Sequence, residues 1–189
     1  EQIMSFVHLG IRSEYAIIDS IVRIKELVKA AANDGQTTLA LADWNNMFAA
    51  VKFYKACIGA GIKPILGAEV VIGDAIDKEA ADARHSVILY AMNNQGYQNL
   101  MRLISDAYTN RPMNDNDSVL FETPVITKHA LSQYSDGLIA ILTHRSEIAQ
   151  PLLGHHPDNA LPLLQAWQEV FGDRLYIGIR RVKAGDDRF

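Results

Sequence analysis

Five side chains that could bind a metal ion or move a proton lie at the ends of apolar runs or in the loops after them: Asp19, Asp43, Glu69, His85 and His144. In α/β barrels the loops that follow the strands meet at one end, and barrel enzymes build metal sites there from several strands. Spacing alone does not single out a metal site here, because no two of these residues form a ligand pair such as His-x-His. An aspartate at the end of a strand is also commonly a helix cap.

The remaining candidates have ordinary structural interpretations. His129, His155 and His156 lie on a short predicted helix or in loops, where we expect solvated side chains. No P-loop, GxGxxG, GxSxG or paired-cysteine motif occurs. Four basic residues near the C-terminus could meet phosphates, although a solvated run is the commoner interpretation: Arg180, Arg181, Lys183 and Arg188.

A predicted β-α-β unit, residues 38–72, would position the central candidates. Residues 38–42 and 65–72 are apolar runs typical of buried parallel strands, and Asn45 or Asn46 can cap the helix between them. That helix has an apolar stripe at helical spacing, which we expect to pack on the sheet: Met47, Ala50, Val51, Tyr54 and Ile58.

The same alternation continues on both sides of this unit. Further strands are predicted at residues 6–11, 85–92, 137–142 and 175–179, and helices after Asp19 or Ser20, after Asn93 or Asn94, at residues 128–133, and from Asp158 or Asn159. Surface excursions are expected near residues 73–84 and 110–124. Five or six strands alternating with helices indicate an α/β barrel that lacks its last units, since a closed barrel of this type needs more strands.

Composition limits the function classes. The 189 residues are 49% hydrophobic, enough for one domain with a real core. The single cysteine, Cys57, predicts a buried thiol in a reducing compartment, and we expect a cytoplasmic protein without a membrane span. The formal net charge of -4 gives no general attraction to nucleic acid.

Five segments together resemble a known family. FVHLGIRSEYAIIDS, LADWNNMFAAVKFY, GAGIKPILGAEV, HSVILYAMNNQGYQNLMRLISDAY and GLIAILTHRSEIAQPLL, in this order and spacing, closely resemble the PHP (polymerase and histidinol phosphatase) domain of bacterial replicative DNA polymerase III alpha subunits. The match runs from Phe6 to about Arg181. The resemblance implies one domain over residues 1–189 with a PHP-type distorted (β/α)7-like barrel, C-terminally truncated in this chain.

The resemblance also implies a degenerate metal site. Active members hold up to three metal ions for phosphoester hydrolysis, and their His-x-His pair corresponds here to Gly10 and Arg12. Trp44 replaces a further histidine, and its indole cannot bind a metal. The vestigial positions are thus Gly10, Arg12, Asp19, Trp44, Glu69, His85 and His144. We expect no metal, no cofactor and no catalytic residue, with Arg12 paired to Glu69 or Asp19.

Two functional hypotheses remain open at this point. The first is a non-catalytic scaffold that supports the polymerase body and docks the proofreading exonuclease subunit, with DNA contacted only through the full-length polymerase. The second is a residual metal-dependent phosphoesterase or 3'-5' exonuclease. The nucleotidyltransferase site implied by the resemblance would lie outside this chain.

Overall fold

The computed structural model describes residues 6–16, 20–73, 85–110, 123–154 and 156–179. These ranges contain six strands and six α-helices. The strands are β1 (Thr38–Trp44), β2 (Lys63–Gly73), β3 (His85–Ala91), β4 (Val125–Thr127), β5 (Leu138–Leu142) and β6 (Leu175–Ile177). The helices are α1 (Ile24–Asn33), α2 (Ala50–Gly59), α3 (Asn94–Thr109), α4 (Lys128–Gln133), α5 (Ala149–Leu153) and α6 (Pro157–Phe171).

The strands form one sheet in the order β1-β2-β3-β5-β6, and β4 pairs with the end of β2. The predicted parallel pairing of β1 with β2 is present, but β3 runs antiparallel to both β2 and β5, which the sequence patterns did not indicate. The other pairs are parallel. As a result, the start of β3 lies beside the end of β2, with His85 opposite Ile72.

The two faces of the sheet have different partners. One face packs under α1 and α2 around Phe53, and under α3 and α6 around Leu100 and Phe171. The opposite face carries a smaller apolar cluster, which includes Ile88 and Tyr90, and borders an open cleft of about 1050 Å³. We call this space the cleft. Four of the positions predicted to be vestigial metal ligands line it: Gly10, Arg12, Glu69 and His144.

Residues 6–11 do not form the predicted first strand. Among the described residues, the only hydrogen bond between their backbone and that of another segment joins Ala42 N to Ile11 O at 2.8 Å. Gly10 has φ +82°, which interrupts an extended conformation. This segment still crosses the edge of β1 and brings Arg12 to the cleft.

The predicted packing face of α2 is also wrong. Phe53 and Cys57 are fully buried, whereas Val51, Tyr54 and Ile58 are 62%, 49% and 55% exposed. The sheet therefore takes the face of α2 opposite to most of the predicted stripe. The helix begins at Ala50 without a side-chain cap, so neither Asn45 nor Asn46 is its cap.

Other predictions agree more closely with the structure. Asn93 caps α3 by accepting a hydrogen bond from Gly96 N, and α4 spans Lys128–Gln133 as expected. The prediction that Ser20 caps the first helix is wrong, because α1 begins at Ile24 without a side-chain cap. The sequence patterns did not predict β4 and α5. Most of both surface excursions, at 74–84 and 111–122, falls outside the described residues, so their structure and the single-domain assignment stay predictions.

No helix in the described part of the chain is long and apolar enough to cross a membrane.

Candidate functional site

Glu69 is the centre of the candidate site. It lies on β2, opposite Trp44 of β1 and Ile88 of β3, and is 6% exposed. The backbone N–H of Asn45 donates to the carbonyl of Glu69 at 2.8 Å, and Asn45 Oδ1 accepts from Val71 N at 3.0 Å. Asn45 thereby extends the contact between β1 and β2 past the last paired residue. The backbone of β2 at Glu69 is consequently held from the β1 side.

Both carboxylate oxygens of Glu69 have partners. Arg12 Nη2 donates to Oε2, and Ser86 Oγ donates to Oε1 at 2.7 Å. A second guanidinium, that of Arg145, lies 4.0 Å from Oε1. The expected ion pair between Arg12 and Glu69 is thus present, and Ser86 and Arg145 add contacts that were not predicted.

The Trp44 ring lies close to both guanidinium groups. The central carbon of Arg12 is 5.2 Å from a ring centroid of Trp44, and that of Arg145 is 5.6 Å away. Both distances are within the range of favourable cation–π contacts. Trp44 therefore stabilises cations at a position where active family members are expected to use a metal-binding histidine.

Gly10 supports the site through its backbone. Its N–H donates to the hydroxyl of Tyr90 at 2.9 Å. Its φ of +82° is costly for any residue with a side chain. Burial raises the pKa of Tyr90 to about 12, although the Gly10 hydrogen bond acts in the opposite direction. The neutral phenol of Tyr90 therefore anchors the segment that carries Arg12.

Asp43 has a structural role in this arrangement. Its carboxylate accepts hydrogen bonds from the backbone N–H of Ser13 at 2.6 Å and from Ser13 Oγ at 2.7 Å, and the residue is 1% exposed. These bonds hold the residue that follows Arg12 against β1. Asp43 was a possible helix cap or ligand in the sequence; in the structure it binds Ser13 instead.

The two histidines assigned to the site lie apart. His144 is exposed and borders the cleft with Arg12 and Arg145. Ser86, not His85, reaches Glu69, and because successive side chains of a strand point to opposite faces, His85 belongs to the other face of β3. Ser86 is the residue of β3 that contacts Glu69, and a role for His85 in the site stays a prediction. Asp19 and the four basic residues near the C-terminus lie outside the described residues.

Whether a metal cluster fits at Glu69 depends on the chemistry of the side chains that could serve as its ligands. Among the described residues no three histidine, cysteine, aspartate or glutamate side chains come together as a group that could hold a metal ion. The groups around Glu69 are two guanidiniums, a hydroxyl and an indole, and none of these is a usual ligand for zinc or manganese. The described residues do not fit the metal cluster that the resemblance associates with active members.

Sequence reasoning missed Ser86, Arg145, Tyr90 and Ser13. One signal was available for two of them. Ser86, Ile88 and Tyr90 alternate along one predicted strand, so a shared face could have been inferred once β3 was aligned to Glu69. The antiparallel direction of β3, which sets that alignment, has no local sequence signal.

Comparison with protein families matches residues 8–182 to the PHP domain. The chain belongs to the PHP domain family. This PHP domain is 37% identical to the DNA polymerase III subunit alpha of Pseudomonas fluorescens over 97% of the chain, and 34% identical to that of Escherichia coli over 96%. The chain spans 15% of the length of each of these relatives.

Solved structures agree on the fold. A structure described as a metal-dependent phosphoesterase from Bifidobacterium adolescentis superposes with a TM-score of 0.50 and 11% identity, covering 91% of this chain and 85% of that one. At this identity the likeness concerns the fold alone. The predicted α/β class and the PHP-type barrel are confirmed.

Proposed function

We propose that this PHP domain is a non-catalytic part of a bacterial replicative DNA polymerase III alpha subunit. In this role it supports the polymerase body and docks the proofreading exonuclease subunit in the cytoplasm. DNA is contacted only through the full-length polymerase, whose nucleotidyltransferase site lies outside this chain. The proposal is supported by 31–37% identity to alpha subunits from several bacteria.

One observation carries the non-catalytic assignment: the Arg12 guanidinium donates directly to Glu69. A guanidinium stays protonated at every pH that a protein tolerates, so it cannot coordinate a metal. It supplies a fixed positive charge beside a carboxylate that is 6% exposed and would be costly to bury alone. Multinuclear phosphoester hydrolysis needs several metal ions to activate water and hold the leaving oxygen. The chemistry of Arg12, Trp44 and Ser86 favours a stabilised scaffold instead.

Metal content and nuclease activity of the full chain test this assignment together. Protein purified without chelator should hold less than a tenth of an equivalent of zinc, manganese or iron by elemental analysis. It should release no nucleotide from single-stranded DNA in the presence of manganese. Metal-dependent cleavage that disappears in the Glu69→Ala variant would support the residual phosphoesterase and overturn the proposal.

Binding of the exonuclease subunit tests the docking role separately. If docking needs no chemistry at the candidate site, His144→Ala should leave the dissociation constant within about threefold, or roughly 0.7 kcal/mol. Isothermal titration calorimetry of wild type and variant with the purified exonuclease subunit gives this comparison. A loss of affinity above tenfold in His144→Ala would place docking at the candidate site itself.

A further inference from the structure

The Arg145 guanidinium, which lines the cleft, has unused hydrogen-bond donors. Its Nη1 lies 4.0 Å from Glu69 Oε1, which is too far for a hydrogen bond, and within the described ranges the guanidinium donates to no other acceptor. Both carboxylate oxygens of Glu69 already accept hydrogen bonds, from Arg12 and from Ser86. Arg145 therefore offers a permanent positive charge and several N–H donors to a group from outside the chain.

Neighbouring contacts hold Arg145 in position. Its backbone carbonyl accepts a hydrogen bond from Ser86 N at 3.0 Å, and its backbone N–H donates to Thr143 Oγ1 at 3.3 Å. The central carbon of its guanidinium lies 5.6 Å from a ring centroid of Trp44. The side chain is still 46% exposed. A group that is already positioned and accessible loses less conformational entropy when it binds a ligand.

The floor of the cleft is apolar. Glu69 of β2, Ile88 of β3 and Ile141 of β5 lie side by side in the sheet. Because Arg145 lies at Glu69, its guanidinium is at one end of this floor, which extends from there along the strands. Small-molecule sites of this size, about 1050 Å³, combine a mostly apolar lining with a few polar groups that fix orientation. Five side chains form the floor: Ile65, Ile88, Tyr90, Ile139 and Ile141.

We propose that the cleft binds a small organic monocarboxylate, with its carboxylate on Arg145 and its apolar body on the floor. A guanidinium can hold a carboxylate through two parallel hydrogen bonds, which also fix its orientation. The apolar body gains free energy by leaving water together with the floor that it covers. This inference goes beyond the proposed function, since it involves neither the exonuclease subunit nor a metal ion.

A phosphate dianion is the less suitable ligand. The cost of taking an ion out of water rises with the square of its charge, whereas its attraction to one arginine rises only in proportion to that charge. Glu69, whose Oε1 is 4.0 Å from Arg145, also repels a dianion more than a monoanion. The two oxygens of a carboxylate can be satisfied together by one guanidinium. The surroundings of Arg145 therefore favour a monoanion.

Octanoate is the probe for this site, titrated into the full chain in a buffer freed of divalent metal ions. Isothermal titration calorimetry should show binding to wild type and an affinity at least tenfold weaker for Arg145→Gln. Arg102→Gln is the matched control, because Arg102 also has a carboxylate at 3.9 Å and an aromatic ring centroid at 4.5 Å but does not line the cleft. This control should bind octanoate within threefold of wild type.

Three further ligands test the carboxylate and the apolar body on wild type alone. Octanamide keeps the alkyl chain without the charge and should bind at least tenfold more weakly than octanoate. Butanoate keeps the carboxylate but covers less of the floor, so it should also bind at least tenfold more weakly. Octyl phosphate should bind no more tightly than octanoate. These comparisons decide the proposal even if circular dichroism shows that Arg145→Gln does not fold.

Several outcomes would overturn the inference while the proposed function stands. They are equal octanoate affinities for wild type and Arg145→Gln, equal wild-type affinities for octanoate and octanamide, tighter binding of octyl phosphate, and no binding of octanoate to wild type. If octanoate instead binds only after manganese is added, the cleft holds a metal ion. The inference and the non-catalytic assignment then fail together.

Discussion

Arg12 places a permanent positive charge beside the buried carboxylate of Glu69. The two side chains are 16% and 7% exposed, so their attraction is less screened than that of a surface pair. Ser86 satisfies the second carboxylate oxygen, and Arg145 adds a weaker contact at 4.0 Å. Stability of the site should therefore depend on Arg12 more than on any surface charge.

We expect Arg12→Met to lower the free energy of unfolding by about 2–3 kcal/mol, because it leaves the buried Glu69 without its main partner. Glu69→Gln in the same background should recover part of the loss, since a neutral amide costs less to bury. Urea unfolding of the two single variants and the double variant measures the coupling.

Arg102→Met provides the matched control, because Arg102 is 61% exposed and pairs with Asp106 at 3.9 Å on α3. Its cost should stay below about 1 kcal/mol. Equal losses for Arg12→Met and Arg102→Met would show that the Arg12 pair is no stronger than a surface pair.

We expect the protein to lose stability in alkaline solution because of Tyr90. Burial raises its pKa from 10.0 to about 12. The unfolded chain therefore releases this proton at lower pH than the folded chain, and the stabilisation, full below pH 10, is lost between pH 10 and 12. Tyr90→Phe should cost about 1 kcal/mol at pH 8, where it removes the hydrogen bond from Gly10, and should flatten the pH dependence above pH 10.

This effect can be measured as the urea concentration at half-unfolding, determined at pH values below and above the ordinary tyrosine pKa. Burial also raises the pKa of the Cys57 thiol from 9.0 to about 11, so the comparison of the parent chain with Tyr90→Phe belongs in a Cys57→Ala background. If the urea midpoint falls with rising pH as steeply in Tyr90→Phe as in the parent chain, another group controls the alkaline transition.

At the scale of elements, α3 depends on a close backbone approach to the start of β5. A Cβ atom on Gly96 would lie 1.9 Å from the carbonyl oxygen of Gly137. Asn99 reinforces this contact by donating to the carbonyl of Asp136 at 2.8 Å. The segment NNQGYQNL, which carried part of the resemblance to polymerase PHP domains, thus has a packing function of its own.

Gly96→Ala should destabilise the chain by about 3 kcal/mol, because backbone atoms rather than a flexible side chain must move. Gly59→Ala is the control. Gly59 is the last residue of α2, and a Cβ there meets nothing within 4 Å, so alanine should be neutral or stabilise by up to about 1 kcal/mol. Thermal melting followed by circular dichroism distinguishes them, and similar melting temperatures for both variants would contradict the role of this contact.

The elements also show which features sequence patterns can predict. Apolar runs and turn residues predicted β1, β2, β3 and α3 to within a few residues, since these signals are local. The buried face of α2 was mispredicted because the helix is apolar on both sides and only its tertiary contacts decide which side is buried. In the site, Arg12 was identified through family resemblance, whereas Glu69 was already a candidate from its place on a predicted strand. Ser86 was missed because its role depends on the direction of β3, which long-range pairing decides.

At the scale of the whole molecule, β2 organises the sheet. Its first seven residues pair with β1, its last three pair with β4 on the same edge, and residues 67–72 pair with β3 on the other edge. Most of its length is buried. Three strands from distant parts of the sequence therefore meet on this one strand, and none of them can leave without exposing its backbone.

This arrangement has a consequence for amide hydrogen exchange. Amide protons in residues 67–72, the buried part of β2 that pairs with β3, should exchange with deuterium only when the entire sheet opens, so their protection should equal the global free energy of unfolding. Amides in α5, which has no buried residue, should exchange through smaller openings. Exchange can be followed by mass spectrometry or NMR at increasing urea concentration. The β2 amides should then match the free energy of global unfolding at lower urea concentrations than the α5 amides do. If β2 instead exchanged as early as α5, the strand that carries Glu69 would be a separately unfolding unit, and the candidate site would open while the rest of the domain stayed folded.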